Sequence, residues 1–362
     1  MKITIIIPSL NEAENISFVT KTIDSGLKIF SKNYNFKAII FNADSGSNDK
    51  TVENFLKTKT LFPKKSVSYT GKNKGKGKNI YEAIKSTIDD TDYYATFDSD
   101  LRSIKASWIK KMFIPIITKK SDLSVPIYNR NRYEGNTTNH FSAPIIYALF
   151  GQYIAQPIAG DFAFSSSLAK TVLNSISSPS DLAYGIDSHI TWAALLNNLN
   201  ISQIKLGKKI HNPSFSKIVP MFHQVATSTL LLIGKNREKI LSLIKNNQPS
   251  SFTVQNIDQN FISKPRLEQI KSVNNTAQSL SIIREPLSVS EWTQILSSIT
   301  IFVLNNKLSS SELNKIIEFL LSAYLLRVVG YFNEIESISP RGINRILKKE
   351  ILMLRKNVEI VI

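Results

Sequence analysis

Cysteine is absent from the 362 residues. That excludes disulfide staples, thiolate metal sites and a cysteine nucleophile, and it fits a reducing cytosol, so a cytoplasmic location is expected. Long apolar runs without charge are missing too. A membrane-spanning helix needs about 18 or more such residues, and the best stretch, Ile316 to Phe332, is interrupted by Glu318 and Arg327. No membrane span is expected. The opening MKITIIIPSLNE carries one lysine, and its apolar run stops at Pro8. A secretory leader would need a longer apolar core, so this reads as a first strand. Acidic residues are scarce, 28 against 45 lysines and arginines, for a net charge of +17. Lysine is spread along the whole chain and no recognition module accompanies it. The balance suits anionic small substrates, an anionic surface or solubility alone, and no nucleic-acid partner is expected. Only four histidines occur, and none is paired at HxxxH or HExxH spacing. A zinc hydrolase is disfavoured.

What is present alternates. Apolar runs at Ile3–Ile7, Ala38–Phe41, Val67–Tyr69 and Tyr93–Phe97 read as strands. Between them, Ile16, Val19, Ile23, Leu27 and Phe30, and later Ile80, Ile84 and Ile88, recur at helical spacing. Such alternation predicts an α/β fold with a doubly wound, mostly parallel sheet. Ligands bind such sheets at the carboxyl ends of the strands. Here those ends read Pro8-Ser-Leu-Asn-Glu12, Asn42-Ala-Asp-Ser45 and Asp98-Ser-Asp100. From about Phe215 glycine thins out and helical periods dominate, at Phe222–Ile244, Trp292–Val303 and Leu313–Phe332. The expected organisation is a catalytic domain over residues 1–214 and a helical C-terminal region over 215–362, with a polar linker at Asn246–Ser263. The long apolar helical tail is compatible with a homodimer.

Four constellations carry candidate chemistry. Asp98-Ser99-Asp100 closes an apolar strand. Read blandly it is a turn or a helix cap; read chemically, one carboxylate serves a ribose and the other a hard cation such as Mg²⁺ or Mn²⁺ on a diphosphate. Asp44, in Asp44-Ser-Gly-Ser47, either orders a strand-to-helix junction or accepts hydrogen bonds from a base or ribose. Gly71 to Lys78 is a basic loop opening a helix. It matches neither the P-loop nor the dinucleotide fingerprint, and it offers glycines for close approach and a helix start for an anion. His211, after a late strand, could complete a metal shell, although a single histidine is usually structural.

Taken in order, Pro8–Glu12, Asp44–Ser47, Gly75-Lys-Gly77, Asp98–Leu101, Gln156–Asp161, Tyr184-Gly-Ile-Asp187 and Leu206–His211 resemble the retaining glucosyl-3-phosphoglycerate synthases and their glucosylglycerate synthase relatives, over roughly residues 1–235. The resemblance implies a GT-A fold, a nucleotide diphosphate glucose donor, Mg²⁺ or Mn²⁺, and a glycerate-type acceptor. It implies that Pro8, Ser9, Leu10 and Glu12 cradle the nucleoside, with Asp44 and Ser45 near the base and Lys76 near the pyrophosphate. Asp98 and Ser99 would meet ribose and phosphate, Asp100 and His211 would hold the metal, and Asp187 with Tyr184 would face the sugar. The acceptor loop falls at Tyr133–His140, with Asn136, Thr137 and Thr138 as acceptor contacts and Lys209 where relatives carry an arginine. That loop lacks the family's arginine, so free D-glycerate is expected to serve at least as well as 3-phosphoglycerate. The alternatives are an inverting GT-A transferase acting on a polysaccharide or lipid-linked acceptor, with Asp161 or Asp187 as base, and a catalytically inactive binding protein.

Overall fold

The computed structural model describes residues 1–71, 75–212, 217–254 and 285–361. Residues 72–74 of the basic loop, 213–216 at the expected domain boundary and 255–263 of the expected linker lie outside the described residues. The chain divides into two compact units. One comprises Met1–Tyr128 with Ile158–Pro213, the other Asn129–Pro157 with Ser214–Ile362.

The first unit is built on a seven-stranded sheet in the order β3-β2-β1-β4-β6-β5-β7. The strands are β1 (Lys2–Ser9), β2 (Lys37–Asp44), β3 (Lys64–Ser68), β4 (Tyr93–Thr96), β5 (Leu123–Asn129), β6 (Phe162–Ser165) and β7 (Ile201–Lys208). β3, β2, β1 and β4 run parallel, whereas β6 lies antiparallel to both β4 and β5. The parallel part is connected by α1 (Ile16–Ser31), α2 (Thr51–Lys57) and α3 (Lys76–Lys85), followed after β4 by α4 (Ala106–Ile117). α1 forms because Ile16, Val19, Ile23, Leu27 and Phe30 make one fully buried stripe, which packs with β1 and with Trp108, Ile109 and Phe113 of α4. α3 ends at Lys85, so Ile88 falls in a separate 3₁₀ turn (Ile88–Asp90). After β6 come α6 (Ser166–Ser175) and α7 (Ile186–Leu196).

The register of the parallel strands brings the polar ends together. Ser9 of β1 lies opposite Asp44 of β2, and Asp44 opposite Ser68 of β3. The antiparallel β6 does the same from the other side. Thr96 pairs with Phe162, which sets Asp161 against the end of β4.

The second unit is helical: α5 (Ala143–Phe150), α8 (Ile218–Lys235), α9 (Arg237–Asn246), α10 (Val289–Asn305), α11 (Ser310–Ile335) and α12 (Pro340–Val361). The periodicity from Phe222 to Ile244 is two helices, broken at Asn236. α10 and α11 each start with a serine–glutamate capping box, Ser288/Glu291 and Ser309/Glu312. α11 is long and apolar enough to cross a membrane by length and composition, yet 78% of its apolar window is buried inside the protein, as in a core helix. Its Arg327 is fully buried and pairs with Glu334 at 2.8 Å and with the fully buried Glu350 at 3.2 Å. Glu350 also accepts from His140 Nδ1 at 3.0 Å.

Candidate active site

The carboxyl end of β4, the starts of α3 and α7, and the turns before β6 and after β7 meet in a cluster of opposed charges. Lys76, the first residue of α3, places Nζ 2.8 Å from Asp98 Oδ1 and 3.2 Å from Asp187 Oδ2. Lys209, just past β7, places its ammonium 3.0 Å from Asp98 Oδ2 and 2.8 Å from Asp161 Oδ2, and donates to the Ala159 carbonyl at 2.8 Å. Asp161 is further held by the Tyr128 hydroxyl at 2.9 Å and by the Asp98 amide at 2.8 Å. Three carboxylates thus face two ammoniums.

Burial decides how these groups titrate. It pushes the Asp98 carboxyl up, but Lys209 and Lys76 outweigh it and hold Asp98 well below the usual carboxylate range. For Asp187 burial prevails over the opposing pull of Lys76, and its carboxyl is raised. Asp161 is raised for the same reason, against the pull of Lys209. Burial lowers Lys76, yet Asp187 and Asp98 together raise it, so its ammonium stays charged. One oxygen of Asp187, Oδ1, is buried with no hydrogen-bond partner among the described residues. A buried acceptor in that condition is costly unless a ligand donates to it.

Asp100 and His211 are carried by two turns tied together. Arg102 N donates to the Ile210 carbonyl at 2.9 Å, Asn212 N to Asp100 Oδ2 at 3.0 Å, and the Arg102 guanidinium to the His211 carbonyl at 3.0 Å. Asn212 Nδ2 also reaches Glu12 at 3.2 Å. Burial, and then the charge of Asp98, raise the Asp100 carboxyl. Among the described residues no group of three or more His, Asp or Glu forms a metal cluster.

The remaining residues singled out in the sequence divide. Asp44 is fully buried and saturated: Gly46 N and Ser47 N donate to Oδ2 at 2.8 Å each, Ser68 at 3.1 Å, and the Ser9 hydroxyl reaches Oδ1 at 3.1 Å. Pro8, Ser9, Ser45 and Ser99 are buried, Leu10 is exposed, and Tyr184 is half-buried. Asn136, Thr137 and Thr138 belong to the second unit and are buried. Thr137 shares a 3.0 Å hydrogen bond with the Tyr324 hydroxyl, and Asn136 donates to the Tyr133 carbonyl at 2.9 Å. The start of α3 is not an open anion site, because its Gly77 and Lys78 amides donate to the Ala183 and Leu182 carbonyls at 3.1 and 2.7 Å. At that helix start the Lys76 side chain, rather than the main chain, faces the cluster. Tyr128 and Asn212 are partners that the sequence motifs did not single out, and Asp161, considered there as the base of an inverting enzyme, is the carboxylate that Lys209 holds. Gly160 is another: at φ +88° it has the backbone region glycine favours, and a Cβ there would stand 2.7 Å from Lys76 Nζ and 2.8 Å from Asp98 Oδ2.

Comparison with known proteins agrees with this architecture. Residues 4–175 match the family model described as Glycosyl transferase family 2. Among solved structures, glucosyl-3-phosphoglycerate synthase from Mycobacterium tuberculosis in complex with phosphoglyceric acid is 24% identical, with a TM-score of 0.51 over 64% of this chain and 80% of that one. The same enzyme with Mg²⁺ and uridine diphosphate gives 24%, 0.51, 64% and 79%. With Mn²⁺, uridine-diphosphate-glucose and phosphoglyceric acid it gives 24%, 0.51, 64% and 80%. No curated protein matches the sequence. At these identities the structures establish the fold, which is GT-A. The match to Glycosyl transferase family 2 over residues 4–175 falls on the sheet-bearing part of that fold.

Proposed function

We propose that this protein is a retaining glycosyltransferase that moves glucose from a nucleotide diphosphate sugar to D-glycerate or 3-phosphoglycerate with the help of Mg²⁺ or Mn²⁺. The observation that carries the reading is the buried Asp187, with one oxygen on Lys76 and the other unpartnered, beside the Asp98 and Asp100 carboxylates at the strand ends. A sugar hydroxyl would satisfy the free oxygen, and Lys76 would sit against the diphosphate. Asp98 and Ser99 would meet ribose and phosphate, the Pro8–Glu12 turn with Asp44 and Ser45 would frame the nucleoside, and Tyr184 would lie along the sugar.

Asp100 and His211 suit a hard divalent cation as an oxygen and an imidazole donor. Such ions commonly take one or two protein groups and complete their shell with phosphate oxygens and water. The raised Asp100 carboxyl, crowded by Asp98 and Glu12, is a group that gains from a neighbouring cation. When bound, the cation would offset charge on the departing diphosphate. The chain's own part is electrostatic. Lys76 stabilises the leaving phosphate, and the Asp187 carboxylate stabilises positive charge developing on the sugar ring. With retention, the acceptor hydroxyl approaches from the leaving-group side and its proton passes to the departing phosphate, so no protein base is needed. Of the two carboxylates available to an inverting enzyme, Asp161 has both oxygens engaged.

For the acceptor, Asn136, Thr137 and Thr138 supply neutral hydrogen-bonding groups. The basic groups that could meet an acceptor phosphate are committed elsewhere. Arg130 donates to Gln156 at 3.1 Å, Arg132 to the Ile335 and Ile338 carbonyls at 3.3 and 3.1 Å, and Lys209 to the aspartates. Free D-glycerate should therefore be used at least as efficiently as 3-phosphoglycerate. The test is a matrix of UDP-, GDP- and ADP-glucose against both acceptors with Mg²⁺. A preference for the phosphorylated acceptor of about a hundredfold in kcat/KM, about 2.7 kcal/mol, would overturn the acceptor assignment. Absence of transfer from every donor would overturn the reading itself.

A further inference from the structure

The glycines of Gly75-Lys-Gly77 serve a contact within the protein. α3 begins beneath a strap, residues 177–185, whose Leu182 and Ala183 carbonyls receive the Lys78 and Gly77 amides. A Cβ on Gly77 would stand 2.5 Å from the Asp181 carbonyl oxygen, 2.6 Å from the Leu182 carbonyl carbon and 2.7 Å from the Ala183 oxygen. These are main-chain atoms, which cannot swing aside as a side chain can. The strap is pinned at its other end. Fully buried Asp181 accepts from the Ser177 and Ser178 amides at 2.8 and 2.7 Å, and its other oxygen lies 2.8 Å from His189 Nε2. Buried His189 contacts the Ser175 hydroxyl through Nδ1 at 3.0 Å. His189 stands two residues beyond Asp187 on α7, and Gly77 directly follows Lys76 on α3. The 3.2 Å contact between Lys76 and Asp187 therefore closes a ring that runs through α3, the strap and α7.

We propose that this strap, held by Gly77, Asp181 and His189, is a positioning device that fixes Lys76 against Asp187 and thereby sets recognition of the diphosphate of a nucleoside diphosphate. The proposal rests on the donor reading above. Gly77 and His189 act through Lys76 and Asp187, and neither is assigned a contact with substrate.

Gly77→Ala gives a test with a definite sign. Alanine is the better helix former, so a helix without the strap would keep or gain stability. Against the strap, the added methyl must push α3 and residues 181–183 apart. The full chain is titrated with UDP and with UMP in Mg²⁺, and amide hydrogen exchange is followed at Gly77 and Lys78. In Gly77→Ala and in His189→Leu, UDP should bind about tenfold more weakly, a loss of about 1.4 kcal/mol. UMP, which lacks the second phosphate, should be nearly unaffected, and the two amides should exchange faster. His189→Gln keeps a polar nitrogen within reach of Asp181 and should retain most of the UDP affinity, which guards against a variant that merely fails to fold. Unchanged exchange and UDP affinity in both Gly77→Ala and His189→Leu would overturn the proposal. So would equal losses for UMP and UDP. Failure of the unmodified protein to bind UDP, GDP or ADP would sink the donor reading, and the strap's phosphate role with it.

Discussion

Lys209→Met should be the costliest single substitution in the charged cluster. The Lys209 ammonium lies 2.8 Å from Asp161 and 3.0 Å from Asp98, and both Lys209 and Asp161 are buried. At an effective dielectric of about 20, a pair at that separation attracts by about 6 kcal/mol. Desolvating the two ions offsets most of this while both are present. Removing one leaves the other's desolvation uncompensated, and such breaks cost about 3–5 kcal/mol. Asp161 has a partial escape, because burial already raises its carboxyl and Lys209 is the main group holding it down. Without Lys209 it can take up a proton at a cost that shrinks as pH falls. The expected loss is therefore about 3 kcal/mol near neutral pH and less in mild acid. Asp161→Asn in the same chain removes the orphaned charge and should recover at least half of it. The assay is a double-mutant cycle in urea, followed by the fluorescence of Trp108 and Trp192, which lie in the same unit. A loss below about 1 kcal/mol, or no recovery in the double variant, would refute the view that Lys209 holds the aspartates.

Asp100→Ala and His211→Ala should each abolish metal-dependent turnover while the circular dichroism spectrum stays unchanged; near-normal rates at saturating Mg²⁺ would remove them as metal ligands. Lys76→Met should move the acid limb of kcat/KM to higher pH. Burial raises the Asp187 carboxyl and Lys76 is the largest group opposing it, so its loss lets Asp187 protonate earlier. A limb that stays put or moves down contradicts that coupling. Arg327→Met in the helical unit should destabilise the protein by about 3–5 kcal/mol through the stranded Glu350, and Glu350→Gln in the same chain should restore part of it in thermal melts.

The parallel half of the sheet was legible because its strands are short apolar runs ending in polar residues, and because α1 carries an unbroken buried stripe. The antiparallel β6 was not. Phe162–Ser165 is four residues long, and direction leaves no mark on an apolar run of that length. The break at Asn236 was hidden because the apolar period continues on both sides of it. α12 falls within the expected helical region, but its buried stripe of Ile343, Leu347, Ile351, Leu354 and Val358 is masked in the sequence by its many lysines and arginines. At the site, Asp98, Asp100 and Asp187 could be found as acids at strand ends or in a motif. Their counter-ions could not be assigned, because Lys209 is 111 residues from Asp98 and nothing local marks one lysine among so many. Gly160 had a usable signal, a glycine directly before a lone acid within an apolar segment. Gly77 had a misleading one. A glycine at a helix start suggests room for a ligand, whereas the close approach is made by the chain's own residues 181–183.

The most direct test of the proposed chemistry is the anomeric configuration of the product, read by proton NMR from UDP-glucose, D-glycerate and Mg²⁺ with the full-length protein. Asp161 has both oxygens engaged and the proposal gives Asp187 an electrostatic role, so a mechanism without a protein base should leave the sugar in the α configuration of the donor. A β-configured product would contradict this and assign a protein carboxylate as the base of an inverting transferase.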